Sequence, residues 1–321
     1  MRKILLSISI FLLFLSGCSE QDNPSPEFIG TGVHQEFLEK GVITSTSDYY
    51  YTFDSQKNIA VIEEYMDGTL SYRSYLKYDE FGNTTQVKTE KDSIVTTYDY
   101  QSTLDEKGRI LRQEVMNGDK LVSLEEHTYD KQNNEIHRRN TTWYDESLEP
   151  QWEEYTMTYD RKGIITRKEQ HRSYDTEYTV WEYENGLCVF QFSYLMETNQ
   201  LTEKIGYTYD SKGNKTSAIT YNPVTDKITK TWEFTYDAED RCIRECRYGK
   251  SDQLELYHEY IYDDTVHTKT KNTYSADGIM DTDYDIQTFD AYGNEILREM
   301  YRDGEVYWRI RYDYKLIEAV K

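Results

Sequence analysis

The chain has 321 residues, with 59 acidic against 37 basic side chains and a formal net charge of −22. That balance argues against a nucleic-acid partner, because a phosphate-binding surface needs clustered Lys and Arg to displace counterions, and against lying flat on anionic lipid. Val, Ile, Leu and Phe make up roughly one fifth of the residues, near the compositional border of disorder, but 32 Tyr supply buried ring area and keep a hydroxyl for a wet edge.

The first line opens with Arg2 and Lys3, followed by a nearly unbroken apolar run from Ile4 to Leu15. The run is too short for a membrane span and has the flanks of a signal peptide. Leu15-Ser16-Gly17-Cys18 resembles the lipobox of bacterial lipoproteins. That resemblance implies cleavage after residue 17 and acyl chains, palmitate among them, on the thiol and new amino group of Cys18. Two or more chains hold a protein on a bilayer stably, at roughly 0.8 kcal/mol per buried CH2. Losing Arg2 and Lys3 takes the net charge from −22 to about −24. The acidic stretch Ser19 to Asp22 is similar to surface-export signals of some Gram-negative lipoproteins, so the expected address is the cell envelope, at the outer membrane or cell surface. Residues 18–47, with Pro24 and Pro26 and few apolar side chains, read as a flexible tether with one or two helical turns over His34 to Lys40.

From residue 48 onward a Tyr-Asp pair recurs roughly every 26 residues, marked by Asp54, Asp79, Asp105, Asp130, Asp160, Glu184, Asp210, Asp237, Asp263, Asp290 and Asp313. A fixed period of this length signals repeat architecture. The residue before the acid is aromatic throughout, apart from Leu104, and three before it stand Tyr51, Leu76, Met157, Trp181, Tyr207, Phe234, Tyr260 and Ile310. Between these columns lies a polar one holding Thr52, Thr128, Thr158, Thr208, Thr235 and Thr288. This is period two, a strand with one dry and one wet face. Three residues after the acid comes Gly82, Gly108, Gly163, Gly213 or Gly293, with Asn133 and Asp240 in two units. Asp opening and Gly or Asn closing is hairpin chemistry, with a left-handed residue at a bulge. A second turn, such as Asp67-Gly68 or Asp303-Gly304, closes most units. The unit ending at Asp160 is longest, so an extended loop is expected between Trp143 and Trp152.

Tyr78-Asp79-Glu80-Phe81-Gly82-Asn83, Tyr209-Asp210-Ser211-Lys212-Gly213-Asn214 and Phe289-Asp290-Ala291-Tyr292-Gly293-Asn294 resemble the YD, or RHS, repeat of bacterial surface and toxin-shell proteins. The resemblance covers about residues 48–319. The units here are longer than the usual repeat of about 20 residues, and neither a proline-flanked core segment nor a variable toxin domain follows. It therefore implies architecture and not activity. The expected fold of 48–321 is all-β: an antiparallel meander of about 22 strands from about 11 hairpins. Laid flat it would stretch about 105 Å and expose its rings, so a curled or spiral sheet is expected, rings inward and Thr, Lys, Glu and Arg outward. Such outward columns disfavour a membrane-spanning barrel.

No motif names a reaction, and no catalytic, cofactor-binding or metal-binding residue is expected. His127 falls in a dry column and reads as a packed ring. Acid pairs such as Glu125-Glu126 and Glu153-Glu154 are expected by chance in so acidic a chain. The turn carboxylates could stack into a Ca2+ row, but each reads first as the cap of its own turn. Cys242 and Cys246 are expected on one face of one strand, out of disulfide reach, and with Cys188 they read as free, mostly buried thiols. Trp143, Tyr144, Trp152 and Trp308 break the inward pattern and are candidate contacts for sugar rings. The expectation is a non-enzymatic, membrane-anchored lipoprotein whose repeat body binds or scaffolds a glycan or protein. The alternative is a shell or accessory part of an RHS-type toxin or secretion system.

Overall fold

The computed structural model describes residues 28–39, 42–144 and 148–316, so Cys18 and the signal peptide lie outside the described residues. The first strands are β1 (Phe28–Glu39), β2 (Val42–Phe53), β3 (Ile59–Met66), β4 (Thr69–Tyr78), β5 (Thr84–Lys91), β6 (Ile94–Leu104), β7 (Ile110–Asn117) and β8 (Lys120–Tyr129). Next come β9 (Glu135–Thr142), β10 (Gln151–Tyr159), β11 (Ile165–Arg172), β12 (Glu177–Glu184), β13 (Leu187–Leu195), β14 (Leu201–Tyr209) and β15 (Lys215–Tyr221). The last are β16 (Ile228–Tyr236), β17 (Cys242–Tyr248), β18 (Leu254–Asp263), β19 (Thr268–Ser275), β20 (Met280–Phe289), β21 (Glu295–Arg302) and β22 (Glu305–Leu316).

Each strand pairs antiparallel with the next, and β22 returns to β1, with Val33 opposite Tyr312 and Phe37 opposite Trp308. The meander is a closed 22-stranded barrel, which corrects the curled or spiral sheet expected from sequence. The segment 28–47, read there as tether, supplies β1 and the start of β2, and His34 sits in a strand rather than a helical turn. Closure removes the two raw edges that an open sheet of this length would present.

At the seam, His34 bridges both neighbours: Nδ1 lies 3.1 Å from Asp48 Oδ1 on β2 and Nε2 2.8 Å from Asp313 Oδ2 on β22. Glu36 accepts from Arg309 and Arg311, each at 2.8 Å.

Apart from Asp313, which lies within β22, each acid of the Tyr-Asp series ends or directly follows an even-numbered strand, so these turns share one rim with the start of β1 and the end of β22. At Asp210 the amides of Lys212 and Asn214 both donate to Oδ1 at 2.9 Å, and Asn214 Nδ2 donates to Oδ2 at 3.0 Å. Gly213 takes φ 90°, the left-handed geometry that lets the return strand start with a bulge. The same two amide bonds recur at Asp54, Asp79, Asp105, Asp130, Asp160, Asp237 and Asp290. Desolvation opposes ionisation of Asp210, but these donors outweigh it and hold the carboxyl below the ordinary carboxylate range.

The bulges splay the strands at this rim, and the YD tyrosines repair the gap. The ladder between β13 and β14 stops at Phe190–Gly206; beyond it Tyr209 Oη donates to the Cys188 carbonyl at 2.6 Å. Tyr78, Tyr129, Tyr159, Tyr236 and Tyr262 do the same for Ile59, Ile110, Glu135, Lys215 and Cys242, at 2.8 to 3.3 Å. In the last unit Tyr314 takes the Glu295 carbonyl at 2.8 Å. A backbone carbonyl orphaned by the bulge thus keeps a partner.

On a closed wall the concave side is the crowded one, because its side chains converge. Tyr51, Tyr159 and Tyr209 are half-buried, while Thr52, Thr158 and Thr208, which alternate with them, are exposed. The ring face is therefore assigned to the lumen. Among the described residues only Ile62, Val180 and Ile310 are buried apolar side chains, so the walls do not pack on one another as in a sandwich. The barrel is hollow, one sheet thick and wetted on both sides. Its perimeter is about 105 Å, or about 34 Å across if round, and more once the strands tilt.

The outer face carries charged pairs, as expected, and stacked rings as well: Tyr178 lies 5.2 Å from Tyr194, Tyr257 4.7 Å from Tyr274 and Tyr284 4.4 Å from Tyr301. Glu63 pairs with Arg73, and Glu154 Oε1 lies 2.7 Å from His137 Nε2. Arg167 reaches Glu169 at 3.1 Å. The expected sorting of rings inward and charges outward therefore fails in both directions: rings stand outside, and several Lys and Arg stand inside, where their methylene stems cover rings while the charged heads stay wet.

Candidate functional site

The inner wall concentrates its chemistry in one arc. From β1 to β8 the mid-strand inward positions are held by residues such as Gln35, Tyr51, Ile62, Ser74, Tyr100 and Gln113, with no Lys or Arg among the described residues. From β9 onward cations alternate with rings across the register. Arg138 faces Tyr155, and Lys168 faces Trp181. Lys215 lies 4.8 Å from the centre of the Phe234 ring, and Lys269 and Lys271 lie 4.8 and 5.8 Å from that of Tyr260.

The best-ordered stretch crosses β10 to β14. Buried Gln170 donates from Nε2 to Tyr155 Oη at 2.7 Å and to Glu153 at 2.5 Å, and Arg172 also holds Glu153, at 2.6 Å. Trp181 Nε1 donates to Gln191 Oε1 at 3.1 Å, and Tyr207 Oη donates to the same oxygen at 3.2 Å. Burial pushes the Tyr207 hydroxyl up to about 12, so it stays a donor at physiological pH. Rings fixed by such partners present flat faces at low entropic cost, which suits stacking on another ring.

The four aromatic candidates from sequence are not brought together. Trp143, at the rim opposite the YD turns, donates its backbone N–H to Val122 O at 3.0 Å. Tyr144 beside it is 48% exposed. Trp152 stands on the outer face under the Arg139 guanidinium, 4.8 Å away. Trp308 lies on the inner face at the seam, between Met300 and Phe37, with its indole N–H buried and unpartnered. Sequence reasoning missed Arg138, Tyr155, Lys168 and Gln191, since none of them falls in a column that repeats.

His127 stacks on Tyr129 at 6.2 Å, with Nδ1 2.5 Å from Glu135. Each adjacent acid pair splits across the wall: Glu125 and Glu153 point inward, Glu126 and Glu154 outward. Neither pair converges on a reacting bond. Among the described residues no three His, Cys, Asp or Glu side chains gather as a metal site. Cys188, Cys242 and Cys246 are free and half-buried. Cys242 and Cys246 lie on opposite faces, not on one: the bulge beside Tyr236 puts Cys242 opposite Tyr236 on the inner side and Cys246 opposite Glu233 on the outer.

No family model matches the chain, and no curated protein does. Among solved structures it is similar to TcdB2-TccC3-TEV, with 12% identity over 87% of this chain and a TM-score of 0.41; the chain spans 16% of that much longer one. It is also similar to a porin-like protein from Bacteroides uniformis, with 9% identity, 89% of this chain and 96% of that one covered, and a TM-score of 0.34. A porin-like protein from Bacteroides vulgatus gives 9% identity, 90% and 99% coverage, and a TM-score of 0.24.

Proposed function

We propose that this chain is a non-enzymatic envelope lipoprotein, anchored through lipid on Cys18, whose hollow barrel binds a glycan against the inner wall. The observation that carries the reading is the ordered row of half-buried rings and amides on a wetted concave face, with Gln191 locking Trp181 and Tyr207. Sugar rings offer apolar C–H faces for such rings and hydroxyls for such amides. β1 begins at the YD-turn rim, and nine residues, or ten Cα–Cα steps, separate Cys18 from Phe28. Extended, that length reaches at most about 35 Å, so the anchor would hold this rim toward the membrane and the other away.

The alternative, a shell for a toxin or secretion system, is favoured by the hollow interior and disfavoured by its mouths. Connections between strands run to at most eight residues, too short to cover an opening of this width. The test is paired. Metabolic labelling with a fatty acid should mark the wild type and be lost in Cys18→Ser. A glycan array probed with the full chain in detergent should give hits that Trp181→Ala abolishes and Trp152→Ala, on the outer face, leaves. Hits that depend on Trp152 and not Trp181 would remove the lumen from the reading.

A further inference from the structure

Several inner-wall cations, Lys215, Lys269 and Lys271 included, stand over rings with no ion pair among the described residues, and a further two such cations lie beside Trp181. The Arg138 guanidinium lies 4.9 Å from the centre of the Tyr155 ring, and the Lys168 ammonium lies 4.5 Å from the same centre. Lys168 is also 5.4 Å from the Trp181 ring. Two cations therefore share one aromatic ring, and among the described residues neither comes within ion-pair distance of a carboxylate. Of the acids nearby on this face, Glu153 is taken by Arg172 and Gln170, and Glu125 and Glu135 lie beside His127. Burial, and then the charge of Arg138, hold the Lys168 ammonium below the ordinary lysine value, while Glu153 and Glu135 act in the other direction without restoring it.

The contrast with the outer face is instructive in a chain of net charge −22. There, Arg73, Arg112, Arg139, Arg167, Arg309 and Arg311 each have a carboxylate partner. Outer Arg244, over Tyr257, is an exception to that pattern, and on the inner face Arg138 and Lys168 flank Tyr155 from β9 and β11 with no carboxylate in ion-pair contact among the described residues. Like charges this close disfavour each other, and an anion placed between them relieves that. The ring of Trp181 next to them supplies a flat stacking face, and Gln191 beyond it a polar edge.

We infer that Arg138 and Lys168, with Tyr155 and Trp181, form a seat for a carboxylated sugar, a uronic-acid residue of an acidic glycan. The carboxylate is held by the two cations on the lumen side of the Tyr155 ring that they flank, and the sugar ring stacks on Trp181. This rests on the lumen-binding reading above and narrows it to acidic ligands. It also gives a use to the acidic exterior: the negative outer charge repels such a glycan from nonspecific contact, so attraction is confined to the arc that carries the cations.

The test is calorimetric titration of the full chain in detergent with a hexamer of galacturonic acid and with its neutral counterpart, a hexamer of galactose. The acidic hexamer is expected to bind about tenfold more tightly at low salt, and Arg138→Gln and Lys168→Gln are each expected to remove most of that advantage over the neutral hexamer measured with the same variant. Far-UV circular dichroism confirms that both variants keep the strand signal. Equal affinity for the two hexamers overturns the acidic seat and leaves the lumen reading standing. Acidic preference that survives both substitutions overturns this placement of the seat. Binding of neither hexamer overturns the seat for this sugar and, with no Trp181-dependent array hit, the lumen reading as well.

Discussion

The tyrosine hydroxyls at the YD rim carry a quantitative consequence. Tyr209→Phe keeps the ring and deletes one hydroxyl, leaving the Cys188 carbonyl without its 2.6 Å donor. A neutral hydrogen bond of this kind contributes about 0.5–1.5 kcal/mol net, and this rim is half-wet, so about 1 kcal/mol is expected. Unfolding entropy scales with length, so for a barrel of this size 1 kcal/mol corresponds to a fall in melting temperature of about 2 °C. The seven bonds of this kind sit two or four strands apart, at least about 10 Å, which is far enough for their effects to add. Replacing Tyr78, Tyr129, Tyr159, Tyr209, Tyr236, Tyr262 and Tyr314 together should therefore cost about 7 kcal/mol and lower the melting temperature by about 12 °C. That is comparable to the whole stability of an ordinary domain. Urea unfolding of the single variants and of the sevenfold variant, followed by circular dichroism, measures this directly. If the sevenfold variant unfolds within the error of the wild type, the hydroxyls are ornaments of the rim and the account of splayed ladders is wrong.

The seam gives a pH dependence of definite sign. Burial pulls the His34 imidazole down, but hydrogen bonds to Asp313 and Asp48 outweigh it and raise its pKa above 6.5. The raised value means the seam contribution is complete below pH 6.5 and is lost as pH rises through the folded value. His34 is half-buried and its partner Asp313 is exposed, so screening leaves about 0.5–1 kcal/mol, a fall of about one or two degrees in melting temperature between pH 6 and 8, absent in His34→Gln. A variant as pH-sensitive as the wild type over that window contradicts this. At the opposite end of the scale, Gly213→Val forces a β-branched residue to φ 90° and should destabilise by more than about 1 kcal/mol, while Gly206→Ala probes packing rather than backbone strain. Equal melting of Gly213→Val and wild type would show that the turn can change type at no cost.

Much of the wall was legible because its signals are local. Thr208 between Tyr207 and Tyr209 gives the two faces, and Asp210 with Gly213 gives the turn, all within seven residues. Closure was not legible, because the partner of β1 lies at the far end of the chain and the sequence from Phe28 to Glu39 carries no column that repeats. The same segment reads as tether for want of apolar alternation, yet it is paired along both edges. Parity was misread at Cys242 and Cys246, since a bulge shifts the face by one residue and leaves no mark on their spacing. The lumen cations escaped notice for a related reason: Arg138 and Lys168 occur once each, and only the register of β9, β10 and β11 puts them over one ring.

Because the opening and final strands are each other's neighbours, no fragment of this chain can complete the circle. Val33 waits for Tyr312, and everything between must be laid down first. A chain crossing a membrane amino end first would emerge with an unmatched flank that stays open until the carboxyl end arrives, and nonlocal pairing of that reach is slow. A nonsense mutation anywhere upstream would leave two unpaired borders able to recruit another chain. Such truncations should aggregate rather than persist as shorter tubes.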